Sequence, residues 1–242
     1  EAALIAYAER SSWMQRDFTS KVPVSDLVTN PVIGRLANKF NVDQHVLPNS
    51  FPPKPTPLSE DPSATSFVVI DSWGMAVSCA FSMNNNFGIG RIAPDTGIMI
   101  AATPETQVNG PPSLGPMMIV NQFSNQLILV ASASGGAMAN TGLASVVARS
   151  YLDKQSLQMA ITAPRVHNNP VHDITYFEPT LSSDVQSYLV DRGHQVAAAP
   201  RIGLVNIAYC KGGLPRDPST CSILNDPRGH GLAAVALINL EE

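Results

Sequence analysis

The chain has 242 residues, with 15 Lys+Arg against 19 Asp+Glu, a net charge of −4, five His and three Cys. An apolar share of 44% supports a buried core and excludes wholesale disorder, and the length fits one large domain or two small ones. Charged residues make up only 14% and form no basic stripe, which argues against nucleic acid as a main partner. Apolar stretches such as Gly231–Leu240 fall short of the ~20 residues that a membrane helix needs, so no membrane span is expected. The chain opens on Glu1 with no charged-then-apolar leader behind it, and reads as a processed or truncated piece of something longer.

Residues 1–40 read as helical. Ala2, Leu4, Ile5, Tyr7 and Ala8 form an amphipathic stretch ending near Ser11–Ser12. A second stretch runs from Asp26 to Phe40, and Pro31 predicts that its helix starts there with Asn30 as cap. Residues 41–63 crowd Pro48, Pro52, Pro53, Pro55, Pro57 and Pro62, which suits a linker or extended arm. From Ser66 the pattern turns to β. Phe67–Ile70 and Met75–Met83 read as a hairpin closed by Asp71-Ser72-Trp73-Gly74, followed by strands at Gly97–Ala102, Met117–Val120 and Leu127–Ala131. Helices are expected at Met138–Leu152, at Ser156–Ala163 up to Pro164, and at Ser182–Arg192 with Gly193 as stop. Strands resume at Ile202–Cys210 and Thr220–Leu224. Strands and helices come in runs, which favours an α+β arrangement over a doubly wound sheet.

Cys210 and Cys221 flank a Gly- and Pro-containing loop and fit two strands of a hairpin. They read either as a cross-strand bridge, which would imply an oxidising compartment, or as two reduced strand cysteines. No C-x2-C pair exists, and His45, His167, His172, His194 and His230 show no metal-like spacing, so no metal site and no cofactor are expected. His167 and His172 read as residues of a surface loop.

Three glycine clusters stand out: Phe87-Gly88-Ile89-Gly90 after Asn84-Asn85-Asn86, Ser132-Ala133-Ser134-Gly135-Gly136, and Arg228-Gly229-His230-Gly231 after Asp226-Pro227. A Gly-Gly pair at a strand end that opens a helix presents backbone N–H groups where the helix dipole favours negative charge, as an oxyanion site requires. The plain alternative is a tight turn that uses glycine.

In this order and spacing the clusters resemble the small, C-terminal subunit of the γ-glutamyltransferase family. The resemblance runs from about Ala64 to Gly231 through Phe67–Asp71, Gly74-Met75-Ala76-Val77, Asn84 to Gly88, Thr96-Gly97-Ile98, Ser134-Gly135-Gly136, Ala163-Pro164-Arg165 and Asp226-Pro227-Arg228. Residues 1–40, with Ala6-Tyr7-Ala8-Glu9-Arg10, look like the end of the family's large subunit. The resemblance implies the four-layer αββα sandwich of N-terminal-nucleophile hydrolases. It divides the chain into 1–63, the end of a large-subunit-like region, and 64–242, the small-subunit-like half. It also implies a precursor that cuts itself before a threonine. A free α-amine beside the threonine hydroxyl then serves as general base, and the uncut amide cannot.

The nucleophile position, counted back from Asp71, falls on Ala64, with Thr65 one residue late. Strand side chains alternate faces, so a one-residue slip turns the hydroxyl away unless a bulge absorbs it. Two readings follow: Thr65 is the nucleophile after a cut behind Ala64, or the site is dead and the chain stays whole. By the same resemblance Ser82 supports the nucleophile, Gly135 and Gly136 are the oxyanion donors, and Asn84 and Ser113 bind substrate, with Leu114 beside Ser113. The pair that grips the substrate α-amino group corresponds to Thr103 and Thr106, so no charge remains there. That loss costs about 2–5 kcal/mol, roughly 30-fold or more in affinity, and makes glutathione a doubtful substrate. The expected function is a γ-glutamyltransferase-like amidohydrolase or transpeptidase acting on a γ-glutamyl or related acyl amide. The alternative is an inactive homologue serving as a binding or structural subunit. The expected partners are a large-subunit polypeptide upstream of Glu1 and a small-molecule amide or peptide substrate. The expected compartment is periplasmic or secreted, with a cytoplasmic one as alternative.

Overall fold

A computed structural model describes residues 1–15, 19–45, 64–103, 115–169 and 173–235. The chain forms two compact units: Glu1–Glu60 with Ala102–Pro112 and Pro164–Ile202, and Asp61–Ala101 with Ser113–Ala163 and Gly203–Glu242. Among the described residues no helix is long and apolar enough to cross a membrane.

In the first unit, α1 (Ala2–Trp13) buries Leu4, Ile5 and Ala8, with Leu36 of α3 (Asn30–Ala37) packed against them. The helix expected to start at Pro31 is α3, and a separate short helix, α2 (Val24–Leu27), precedes it. Thr29 rather than Asn30 is the cap of α3, because Pro31 is tolerated within the first turn, where its missing N–H is not needed. Three short strands were not expected: β5 (Val166–Asn169), β6 (Ile174–Phe177) and β7 (Gln195–Ala198) form one sheet in the order β5-β6-β7. α6 (Ser183–Asp191) connects the parallel pair β6 and β7, with Ser182 as cap and Gly193 at φ +93° after its end.

Arg165 of the Ala163-Pro164-Arg165 motif has a structural role in this unit. Glu178 accepts from the backbone N–H groups of Arg165 (3.0 Å) and Ile202 (2.9 Å), and the buried Arg165 guanidinium donates to the Ile202 carbonyl (3.0 Å).

His167 corrects the surface-loop expectation, for it lies on β5 and is buried; His172 lies outside the described residues. Burial lowers its pKa from 6.5 to about 4. The unfolded chain therefore takes up a proton in that interval which the folded chain does not. The contribution is complete above pH 6.5 and is lost as pH falls towards 4, about 3 kcal/mol in all. Urea melts of wild type and His167→Gln should show a steeper acid loss of midpoint in the wild type; parallel losses would contradict this.

The second unit is layered. β1 (Ala64–Ile70) and β2 (Ala76–Ser82) form an antiparallel hairpin, closed where Asp71 accepts from the N–H groups of Trp73 and Met75 at 2.9 Å each. Beneath lies a sheet in the order β3 (Met117–Asn121), β4 (Gln126–Ser134), β8 (Leu204–Leu214) and β9 (Cys221–Leu224). On its far side α4 (Ala137–Val147), continued by a π-type turn at Ala148–Leu152, and α5 (Leu157–Thr162) complete the core. Leu129, Ala131, Ala139, Val146, Ala160, Val205 and Ile207 are buried together there. Ser156 caps α5 by accepting from the Met159 N–H. The unit thus holds helix, sheet and sheet layers of the expected α+β sandwich.

The strand expected at Gly97–Ala102 is absent. Positive φ at Asp95 (62°) and Gly97 (70°) breaks extension, leaving a single bridge between Ile92 and Met99. Cys210 and Cys221 are register partners on β8 and β9 and form a disulfide.

Candidate functional site

β1 and β2 put alternate side chains on opposite faces, and the alternation decides where each expected site residue sits. Ala64, Ser66, Val68 and Ile70 face the four-stranded sheet, while Thr65, Phe67 and Val69 are exposed on the other face. Register pairs Ala64 with Ser82 and Thr65 with Phe81, and Phe81 is exposed as well. The Thr65 hydroxyl therefore shares the outer face with the Phe67–Phe81 ring pair, whose centroids are 5.8 Å apart. Ser82 stands on the inner face beside Ala64.

The hairpin's position over β4 and β8 follows from contacts along its length. Ile70 and Ala76 pack on Leu127, Cys210 and Leu214. Ser78 Oγ donates to the Ala131 carbonyl (2.6 Å), and Ser132 Oγ donates to the Cys79 carbonyl (3.0 Å). β2 therefore advances over β4 in the same sense. Ala64, Thr65 and Ser82 lie towards the end of β4 at which Gly135 and Gly136 follow.

Those glycines are required by the backbone. Gly135 has φ +117°, and a Cβ there would stand 3.2 Å from Gly203 Cα. Gly203, at φ +66°, leaves no room either, with Met138 O 2.8 Å from a Cβ position. Gly136, at φ 60°, is the N-cap of α4, so the pair stands at the positive end of an 11-residue helix. The strand end, the Gly-Gly turn and the helix start coincide, as the sequence pattern predicts.

Asn84 is exposed at φ 58°, and its N–H donates to Ser82 Oγ (2.8 Å), so Ser82 fixes the turn that presents Asn84. Gly88 holds the same loop close to its return segment, since a Cβ there would fall 2.0 Å from the Ile100 carbonyl oxygen. Thr103 is exposed and falls in the first unit. Thr106, Ser113 and Leu114 lie outside the described residues.

Two further features were missed. Asn206 of β8 donates to the Ser66 carbonyl (2.8 Å) and Ser66 Oγ (3.2 Å), pinning the third residue of β1 from below. A lone Asn amid Leu204-Val205…Ile207-Ala208 was the available signal. In addition, Glu1, His45 and His194 of the first unit bring potential ligand atoms within 4.8 Å of one another. The Asp226-Pro227-Arg228 motif is a brace: Asp226 accepts from Val205 N (2.9 Å) and Arg228 N (3.1 Å). The Arg228 guanidinium in turn donates to Asp226 (3.2 Å) and to the carbonyls of Ile161 (2.6 Å) and Ala163 (2.9 Å).

The family model described as Gamma-glutamyltranspeptidase matches residues 1–106 and 111–236. The glutathione hydrolase proenzyme of Escherichia coli (strain K12) is 24% identical in an alignment of 226 positions that covers 84% of this chain and 39% of that protein. The glutathione hydrolase proenzyme of Pseudomonas sp. (strain A14) is 24% identical in an alignment of 262 positions that covers 96% of this chain and 45% of that protein. This chain thus spans less than half the length of these relatives. Among solved structures, gamma-glutamyltranspeptidase from Pseudomonas nitroreducens complexed with L-DON matches with a TM-score of 0.58 at 20% identity, over 72% of this chain and 100% of that one. The Bacillus anthracis transpeptidase CapD matches with a TM-score of 0.56 at 21% identity, over 71% and 99%. These likenesses show the N-terminal-nucleophile hydrolase fold.

Proposed function

The chain belongs to the gamma-glutamyltranspeptidase family, and on that premise we propose that it acts as an autoprocessing amidohydrolase or transpeptidase on a γ-glutamyl or related acyl amide, with Thr65 as nucleophile. The supporting observation is the common end of β1, β2 and β4, where Thr65, Ser82 and the Gly135–Gly136 turn lie. In this reading the chain divides into residues 1–63 and 64–242, and an upstream polypeptide completes the large-subunit-like part. In favour of such a partner, this chain covers 39% and 45% of the two proenzymes it resembles. The Cys210–Cys221 disulfide favours a periplasmic or secreted location.

The chemistry follows from the strand geometry. In the uncut chain Thr65 is held extended between Ala64 and Ser66, and its hydroxyl faces outward. In the proposed self-scission Thr65 Oγ attacks the Ala64 carbonyl carbon, and the amide C–N bond breaks to give an Ala64 ester and a free Thr65 amine. One water hydrolyses the ester to an Ala64 carboxylate and the Thr65 hydroxyl, leaving Thr65 tied only through its carbonyl. Rotation about its Cα–C bond then swings amine and hydroxyl to the inner face, a turn the intact strand forbids. The amine takes the Oγ proton, Oγ attacks the acyl carbon, and the Gly135 and Gly136 N–H groups receive the oxyanion. The proton leaves with the departing amine, and water or an acceptor amine then attacks the acyl ester and restores the Thr65 hydroxyl. Ser82 orients the nucleophile, and Asn84, Ser113, Thr103 and Thr106 contact the substrate.

Thr103 and Thr106 carry no charge, so an acyl group without an α-amino group should be used at least as well as a γ-glutamyl group. Anilides with and without that amino group test this on the full polypeptide. A preference of about 30-fold or more for the γ-glutamyl anilide would contradict it.

A second reading, an inactive homologue with a binding or structural role, is favoured by one observation: Ala64, not Thr65, stands opposite Ser82. Turnover of neither anilide supports that reading.

A further inference from the structure

The first unit carries a cluster that the acyl chemistry does not use. β6 and β7 are parallel with Ile174 opposite Gln195, so the residues just before them, Asp173 and His194, come side by side. The His45 N–H donates to the Arg192 carbonyl (2.7 Å) and draws His45 onto the same turn, its ring centroid 4.1 Å from that of His194. Glu1 Oε1 completes the group, 2.6 Å from His45 Nδ1 and 3.4 Å from His194 Nε2. The side chains of His45, Glu1 and His194 are only 2%, 8% and 6% exposed.

We infer that Glu1, His45 and His194 form a binding site for a divalent zinc-type ion, independent of the acyl-transfer reading above. Two features beyond proximity support this. First, each imidazole has its remote nitrogen engaged, as metal-bound histidines do. His45 Nε2 meets Asp173 Oδ1 at 2.7 Å, and His194 Nδ1 meets Thr175 Oγ1 at 2.9 Å. Asn168 Nδ2 buttresses both acceptors, 3.3 Å from Asp173 Oδ1 and 3.1 Å from Thr175 Oγ1. These bonds orient His45 Nδ1 and His194 Nε2, the two nitrogens next to Glu1.

Second, with the His45 Nε2 proton given to Asp173, its Nδ1 and the Glu1 oxygen are both acceptors. At 2.6 Å they require a proton or a cation between them. Two nitrogens and one oxygen suit zinc rather than calcium or magnesium. The Glu1–His194 separation of 3.4 Å equals an edge of a zinc tetrahedron, about 3.3 Å for bonds of about 2.0–2.1 Å. The Glu1–His45 contact needs to open by about 0.7 Å to admit the ion.

Zinc titration of chelator-treated full chain, monitored by calorimetry and by cobalt absorption, tests the site. The expected result is one equivalent bound in the micromolar range or tighter, a tetrahedral cobalt spectrum, and a raised melting temperature. His194→Gln should weaken binding at least about 30-fold, and Asp173→Asn, which leaves all three ligands in place, about 10- to 100-fold. Should His194→Gln fail to fold, Asp173→Asn and the wild-type cobalt spectrum decide. Absence of zinc binding in the wild type, leaving only a proton between His45 and Glu1, would overturn the inference. So would unchanged binding in folded His194→Gln and Asp173→Asn, which would assign the ion to other histidines.

Discussion

Thr65→Ala in the full polypeptide is expected to lower kcat/KM towards an acyl anilide by about 10⁴-fold or more and to leave the chain uncut. A loss of that size corresponds to about 5 kcal/mol of transition-state stabilisation, far more than a surface substitution removes from folding. Thr65 is exposed on the outer face of β1, and its hydroxyl is not needed to hold the strand, so the variant should melt within about 0.5 kcal/mol of the uncut wild-type precursor. Activity and stability therefore separate cleanly at this residue. Thr65→Ser keeps the hydroxyl and the freed amine and should retain processing and most turnover. Unchanged turnover in Thr65→Ala would remove Thr65 from the mechanism.

Asp226→Ala carries the largest expected effect on folding. The carboxylate is buried, accepts from two backbone N–H groups, and faces the Arg228 guanidinium. Through Arg228 it also fastens the carbonyls at the end of α5. Its removal leaves the Val205 N–H buried without this acceptor and takes the counter-charge from Arg228. Such a loss costs about 3–5 kcal/mol, or about 10 °C for a chain of this size. Asp226→Asn keeps one acceptor oxygen and should cost less than half as much. Thermal unfolding of the two variants measures this; equal and small shifts would mean that the brace is dispensable.

Much of the fold was legible because its signals are local. The β1–β2 hairpin announces itself through Phe67-Val68-Val69-Ile70 and the Asp71 turn, α6 through Ser182 and Gly193, and α5 through Ser156 and Pro164. The Cys210–Cys221 pair was legible as a possible bridge, and the register of β8 and β9 decided it.

What escaped rests on partners far away in sequence. β5 reads Val166-His167-Asn168-Asn169, with no apolar alternation; its polar residues are held by bonds to β6 and to the turn before it. The Gly97–Ala102 segment has strand-like composition, but Asp95 and Gly97 turn the chain. His45 and His194 share no local spacing, since the parallel pairing of β6 and β7 unites them.

At the catalytic end, the one-residue offset of Thr65 could be read from the count back to Asp71. The structure adds which face that offset costs: Thr65 is exposed, and Ala64 pairs with Ser82. The glycine clusters proved to have different roles. Gly135 is set by positive φ and contact with Gly203, whereas the Asp226-Pro227-Arg228 run holds α5 against β8 and contributes no group to the site described.

N-terminal sequencing and intact-mass analysis of the full polypeptide after prolonged incubation test self-scission most directly. A new chain beginning Thr65-Ser66-Phe67 is the expected result. A polypeptide that stays continuous through Ala64–Thr65 would contradict it and leave a family member without its nucleophile.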